Sequence, residues 1–493
     1  MNRYSYVFFS KKLHYLQQQI FPFLASYKDR SYYGSPDYEC AHCHAVFWFR
    51  ERAMFSSRSH SNKIEYHLCC KQGKIQIPAF RPRPEPLASL TTHNGGARSN
   101  KFMKNIRQYN CLFAFTSMGA NIDRSVNDGR GPPIFKINGQ VHHRIGSLLP
   151  PDGSAPKFLQ LYIYDTSNEV SNRLKALHPD DGSLETLDPA ILQSLTTMLD
   201  DHNPFAKKFR MARDRLESNS EDEFIIRIIG AQEGDPVQYN LPTTDHLAML
   251  IVGDFSLDTF KRDIIIQTRS GQLRHISSLH PAYMPLQYPL LFPYGERGFQ
   301  VGILYSDATE HRKKKRLTVT MHEYYRYHFH YRRNQPNPYL NYGLLSSQAK
   351  IDARAAIDEN RLWFILRNQS RLRIESLQGI ADAVGRGCVD GSEIGKLTVL
   401  PASHTGGRRY MVQNYHDGMA ICRVFGPPDF FVTFTCDVNW PEISLGILEH
   451  GQKPSDRADI VVRVYNMKLE EMLSDIKDGK AFGPVVAGTK SVT

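Results

Sequence analysis

Apolar and polar positions alternate along this chain in patterns that predict both helices and strands. Met321, Tyr324, Tyr325, His328 and Phe329 fall at i, i+3, i+4, i+7 and i+8, the stripe of a helix that Thr320 can cap and that Pro336 and Pro338 stop. A longer helix is predicted from about Ser347 to Asn368. Another is predicted from about Asp456 to Lys477, with Val461, Val464, Tyr465, Leu469, Met472 and Ile476 facing a core. Leu192–Leu199 suits a short helix, ended by His202-Asn203-Pro204 because the residue before proline avoids the helical region. Strand periodicity is read at Leu159, Leu161 and Ile163, which alternate with Gln160, Tyr162 and Tyr164. Phe224–Ile229, Ile264–Thr268 and Leu397–Leu400 are further strand candidates. The run Phe430, Phe431, Val432, Phe434 lies between Pro427-Pro428 and Pro441 and reads as a buried strand.

These elements predict an α+β fold divided into successive regions. Residues 1–34 show no clear pattern and read as a tail. Residues 35–80 form a Cys-rich module, and 81–104, with Pro, Gly, Ser, Asn and basic residues, reads as a linker. A central mixed α+β domain follows over 105–300, then a basic connector over 301–317 and a last domain over 318–493. The length of 493 residues fits about three domains. No stretch approaches the ~18 apolar residues of a membrane span, and the N-terminus lacks the long apolar region of a secretory signal.

Charge adds a partner. The chain carries a formal net charge of +11, which favours a polyanion, nucleic acid first, although an ordinary basic protein has the same balance. Ser403–Tyr410 reads as a flexible loop in which glycines let backbone approach a phosphate, Arg408 and Arg409 bind it, and Tyr410 can stack on a base. A surface turn is the plain alternative. Lys313, Lys314, Lys315 and Arg316 can add non-specific phosphate contacts or simply form a solvated connector.

Cysteine changes the picture more sharply. Of eight cysteines, four lie in 35–80, and without a secretory signal they suggest thiols or a metal site over disulfides. Cys40 and Cys43 form a C-x-x-C pair, followed by His67, Cys69 and Cys70. Two thiolates on a tight turn and two ligands from a second knuckle can surround Zn²⁺ tetrahedrally. Adjacent Cys69 and Cys70 can bind one ion only if the backbone turns there; otherwise His67 and Cys69, two apart on one face, supply the second pair. His42 and His44 are lesser candidates, and four reduced thiols in a small core are the bland alternative. Such a site would fold a small module and not catalyse.

Other matches are weaker. His328-Phe329-His330 spells H-U-H (U is apolar) beside Tyr324 and Tyr325, but on a helix residues two apart point roughly 200° apart, so the two imidazoles would not share a metal. Gly391–Lys396 has three residues between its glycines and Leu397 after the lysine, so it lacks the spacing and hydroxyl of a phosphate-binding loop. His142, His143 and His280 have no partners at ligand spacing and read as structural. No small-molecule substrate is evident.

Several long segments together resemble the plant-type Helitron helicase-like protein of rolling-circle transposons: CAHC…HLCCKQGKIQIP, INGQVHHRIGSLLP, LYIYDTSNEVSNRL, HNPFAKKFRMARDRL, SSLHPAYMPLQYPLLFPYGERG, LPASHTGGRRYMVQNYHDGMAICRVFGPPDFFVTFTCDVNWPEI and AFGPVVAG. The resemblance runs over roughly residues 35–488. It implies a small zinc-binding module, a central domain and an incomplete H-U-H nuclease-like α/β domain, since the family's H-U-H strand follows the equivalent of Phe430–Phe434 and does not appear before Thr493. In the family, a divalent metal serves the nuclease and ATP the helicase; neither centre can be matched to residues here. The implied partner is DNA, single-stranded at the Gly-Arg-Arg loop, and the implied location is the nucleus. The expected activity is DNA binding, with the N-terminal part of a working helicase and endonuclease, or a transposon relic, as alternatives.

Overall fold

The computed structural model describes residues 4–10, 31–53, 64–118, 143–177, 187–218, 224–229, 248–252, 264–267, 273–306, 316–369, 400–447, 452–480 and 482–492. It is a mixed structure of helices and small antiparallel sheets, in agreement with the α+β expectation. The chain divides into two compact units, one of Pro36–Glu359 with Ile447–Asp459, the other of Met1–Ser35, Asn360–Gly446 and Ile460–Thr493.

The larger unit holds the main core. Its helices form where caps and apolar stripes coincide. Asp188 accepts from the amide of Ala190 at 2.8 Å, with Pro189 opening the helix Pro189–His202, whose Ile191, Leu192, Leu195 and Leu199 are buried. Asn203 ends that helix and its Oδ1 accepts from Phe205 and Ala206, so one side chain starts the next helix, Pro204–Ser218. Thr320 and Glu323 form a reciprocal capping box at the start of Met321–His328. The helix Gly343–Arg367 packs Leu345, Ala349, Ala353 and Ala356 into the same core. Two three-stranded antiparallel sheets belong to this unit: Phe224–Ile228 between Ala248–Val252 and Ile264–Gln267, and His143–Ile145 between Ser117–Met118 and Arg274–Ile276.

Two expectations change here. The alternating segment around Leu159 is a 3-10 helix, Phe158–Tyr162, with Leu159, Leu161 and Tyr162 buried. Phe158 opens it at a φ of 54°, and the Tyr162 hydroxyl donates to the Phe113 carbonyl at 2.8 Å, so a tertiary contact outweighs strand periodicity. Residues 81–104, expected as a linker, carry the helices Leu87–Leu90 and Ala97–Lys104, and Leu87, Leu90 and Phe102 join the main core. Pro86, Thr91 and Gly96 cap these helices, so part of the composition marks boundaries between short helices.

In the smaller unit, Tyr4–Ser10 is the central strand of an antiparallel sheet between Phe430–Phe434 and Val485–Val492. The N-terminal stretch, expected to be a tail, thus contributes a strand whose partners lie more than 400 residues away, as the pairing Tyr4↔Phe434 shows. Phe430–Phe434 is not buried on both faces. Phe430, Val432 and Phe434 pack against Tyr465, Leu469 and Ile476 of the helix Ala458–Lys477, while Phe431 is 69% exposed. One covered face is the usual state of an antiparallel strand. Glu442 is fully buried and paired with Lys468 at 2.8 Å, which fixes the helix Pro441–Gly446 within this unit.

Candidate metal centre and nucleic-acid interface

Cys40 and Cys43 flank a tight turn. The amide of His44 donates to the Cys40 carbonyl at 2.9 Å, and the amide of Cys40 donates to the Ala45 carbonyl at 2.9 Å. This turn joins the two-stranded pair Tyr38–Glu39 and Val46–Phe47. The second knuckle turns more sharply. Lys71, Gln72 and Gly73 all have positive φ (55°, 59° and 79°), and the amide of Ile75 returns to the Cys70 carbonyl at 3.0 Å. A Cβ on Gly73 would lie 2.9 Å from His42 Nδ1, so this position needs glycine for space as well as conformation.

The turn brings both adjacent cysteines to one point. The four sulfurs of Cys40, Cys43, Cys69 and Cys70 lie within 4.8 Å of one another, all buried. Cys40 Sγ and Cys70 Sγ are 3.7 Å apart. Ligands on a tetrahedron with ~2.3 Å metal–sulfur bonds stand ~3.8 Å apart, whereas a disulfide requires ~2.05 Å. The four buried cysteines can therefore hold a metal ion. Hydrogen bonding to Cys43, then Cys69 and Cys70, holds the Cys40 thiol below its ordinary range, while contact with Cys40 and Cys43 pushes Cys69 and Cys70 upward. Phe47 and Tyr66 stack at 4.7 Å beside the sulfurs and close the small core.

His67 is not part of this cluster. Its Nε2 lies 3.0 Å from Glu65 Oε2 and 2.9 Å from Gln72 Nε2, on the surface. The backbone turn that recruits Cys70 removes the need for it. His42 and His44 are exposed. Sequence reasoning did not find Arg332, which is buried and donates from Nη2 to Cys43 Sγ at 3.4 Å and from Nε to the Cys43 carbonyl at 2.9 Å. It lies 289 residues from Cys43, and no local pattern announces the contact.

The H-U-H look-alike is structural. His328 is buried among Phe80, Tyr324 and Tyr339, and burial pushes its pKa down to about 3. His330 faces the other way, with Nε2 at 2.8 Å from the Tyr66 hydroxyl and Nδ1 at 2.7 Å from the Arg326 carbonyl. Tyr324 and Tyr325 are also buried, and burial raises both phenols. His143 is a core residue, stacked on Tyr283 at 3.8 Å and bonded to Asp352 at 2.7 Å. His280 accepts from the amide of Ala282 at 3.1 Å. His142 and the glycines of 391–396 lie outside the described residues.

The basic candidates separate. Lys313, Lys314 and Lys315 lie outside the described residues. Arg316 is committed to a network, donating to Glu323 at 3.0 Å and to the Tyr305 hydroxyl at 3.1 Å. Burial opposes ionisation of Glu323, but hydrogen bonds from Thr320, Lys71 and Tyr305 overcome it and hold the carboxyl at about 2. Arg408, Arg409 and Tyr410 are not in a loop. They form the first turn of the helix Arg408–Phe425, with Gly407 as its N-cap, and both arginines are exposed. The glycines and Ser403 belong to the turns that start this helix. Its first amides lack intrahelical acceptors, so this helix end is positive and carries two exposed arginines. Among the described residues no helix is long and apolar enough to cross a membrane.

Compared with known proteins, residues 324–492 match the family described as Helitron helicase-like domain at N-terminus. No curated protein matches the chain. The match spans the helices Gly343–Arg367, Arg408–Phe425 and Ala458–Lys477 and the strands Phe430–Phe434 and Val485–Val492. The chain carries a Helitron helicase-like N-terminal domain over residues 324–492.

Proposed function

We propose that this transposon-related chain binds single-stranded DNA in the nucleus, through the positive end of the helix Arg408–Phe425, and that a structural Zn²⁺ in the Cys40, Cys43, Cys69, Cys70 site folds its Cys-rich module. The observation that carries the DNA reading is the exposure of Arg408 and Arg409 on the first turn of that helix, inside the family match. Free amides and two guanidinium groups suit phosphate, and Tyr410 beside them offers a ring to an unpaired base. A duplex hides its base faces, so a stacking aromatic favours single strands. The net charge of +11 adds non-specific attraction.

Zinc is the ion we assign because four thiolates at tetrahedral spacing are its usual structural set. The ion would neutralise and fix the two knuckles, and its chemistry is that of a fold staple. The H-U-H nuclease-like character of the domain is part of the same proposal, drawn from the family.

Fluorescence anisotropy with labelled single-stranded and duplex oligonucleotides tests the DNA reading. Tighter binding to the single strand, lost in an Arg408→Ala/Arg409→Ala variant, is expected. Equal or no binding to either would overturn it. The family's helicase-like description favours one other reading, the N-terminal part of a working helicase and endonuclease. ATP hydrolysis or strand nicking by the purified chain would support that reading instead.

A further inference from the structure

Arg332 is a buried guanidinium with an unusual set of partners. It is 4% exposed, and among the described residues no carboxylate pairs with it. It donates to the carbonyls of Cys43, Tyr327 and His330 at 2.9, 2.9 and 3.2 Å and lies over the Tyr327 ring at 3.8 Å. Its remaining polar contact is Cys43 Sγ at 3.4 Å. A buried cation is costly unless an opposite charge faces it. Four neutral thiols supply none. Four thiolates around a divalent ion keep two net negative charges, and sulfur then accepts hydrogen bonds from N–H groups. A second such donor is present: the Gly73 amide points at Cys70 Sγ at 3.2 Å.

The same arginine joins distant parts of the larger unit. Ala45 pairs with Arg332 in an antiparallel bridge, and the Val46 amide donates to the Tyr331 carbonyl at 2.9 Å. Tyr66 reaches His330 from the second knuckle. Lys71, within that knuckle's turn, pairs with Glu323 at 2.9 Å. We propose that Arg332 is a positioning residue of the Cys40–Cys43–Cys69–Cys70 metal centre, supplying its counter-charge, and that metal occupancy and the seating of residues 328–332 against the Cys-rich module are one coupled event. This rests on the metal reading above. The segment that spells H-U-H is, on this account, the seat of a structural metal module.

The test uses the full chain and Zn²⁺ alone, with affinity measured by chelator competition and the site's electronic state by the sulfur-to-metal band of the Co²⁺ form. Arg332→Met is expected to weaken Zn²⁺ binding about 10- to 100-fold, the range for partners that orient metal ligands, and to shift the Co²⁺ band. Arg332→Lys, which keeps the charge, should recover part of the affinity. Tyr66→Phe, which removes one contact of the same seat without touching the charge, should weaken Zn²⁺ binding only slightly and leave the Co²⁺ band unshifted. If Arg332→Met behaves like Tyr66→Phe, the inference fails while the metal reading stands; if the native chain takes up no Zn²⁺, both fail. Should Arg332→Met not fold, hydrogen exchange on the native protein decides. Chelation is expected to expose the Val46 amide and residues 328–332 together with the two knuckles. Faster exchange confined to residues 40–44 and 69–73 would overturn the coupling.

Discussion

At the residue scale, the metal centre turns on whether Cys70 or His67 joins Cys69. Cys70 enters the cluster because Lys71, Gln72 and Gly73 adopt positive φ, while His67 is left on the surface with Glu65 and Gln72. Cys70→Ser should therefore abolish stoichiometric zinc binding, measured by elemental analysis of the purified chain, and His67→Ala should leave it intact. The opposite pattern would restore the histidine-containing set. All five candidate ligands were legible from the C-x-x-C spacing and the nearby His-x-Cys-Cys, and four of them come together. The choice among them was not, because two non-glycine residues with positive φ are a tertiary outcome that residue type does not announce. Arg332 was invisible for a related reason, since its partner is 289 residues away.

His328 gives a second prediction at this scale. Burial lowers its pKa from the usual 6.5 to about 3, so the folded state holds it neutral where the unfolded chain would protonate it. The unfolded state then binds more protons between those values, and stability falls as pH drops below about 6.5. The loss should reach on the order of 3 kcal/mol by about pH 4. His328→Phe should flatten that part of the profile in thermal melts taken across pH. An unchanged acid slope would mean that the imidazole is not the titrating group.

At the scale of elements, helices with both a stripe and a cap were legible and lie where expected. Met321–His328 is the clearest, since Thr320 and Glu323 satisfy each other's backbone amides. Thr320→Ala should cost about 1 kcal/mol in denaturant unfolding; a loss below a few tenths would show that the Lys71, Tyr305 and Arg316 contacts to Glu323 hold this turn unaided. Elements that failed the pattern did so for stated reasons. Phe158–Tyr162 alternates like a strand yet closes as a 3-10 turn, because Tyr162 bonds to Phe113 and its ring packs at 4.7 Å on Phe115. The first turn of Arg408–Phe425 reads as loop because Gly406 and Gly407 precede it. None of the helix's residues is buried, so no core contact marks this segment as a helix.

At the scale of the whole molecule, the sequence yields an α+β chain with a Cys-rich module and a family domain, and the structure divides it differently. The Cys-rich module packs within the larger unit through residues 327–332, so its four thiols are not an isolated finger. Tyr4–Ser10 belongs to the sheet of the smaller unit, a pairing that no local pattern reveals. The Arg408 end of that unit's long helix is where the account places DNA. The most direct measurement is the affinity for a short single-stranded oligonucleotide over a series of salt concentrations, for the native chain and for Arg408→Ala/Arg409→Ala. Each phosphate contact contributes a slope of about −0.7 in log K against log salt for single strands. A clear negative slope is expected for the native chain, and a slope shallower by about 1.4 for the double variant, with weaker binding at every salt. Salt-independent binding, or identical slopes for the two proteins, would contradict it.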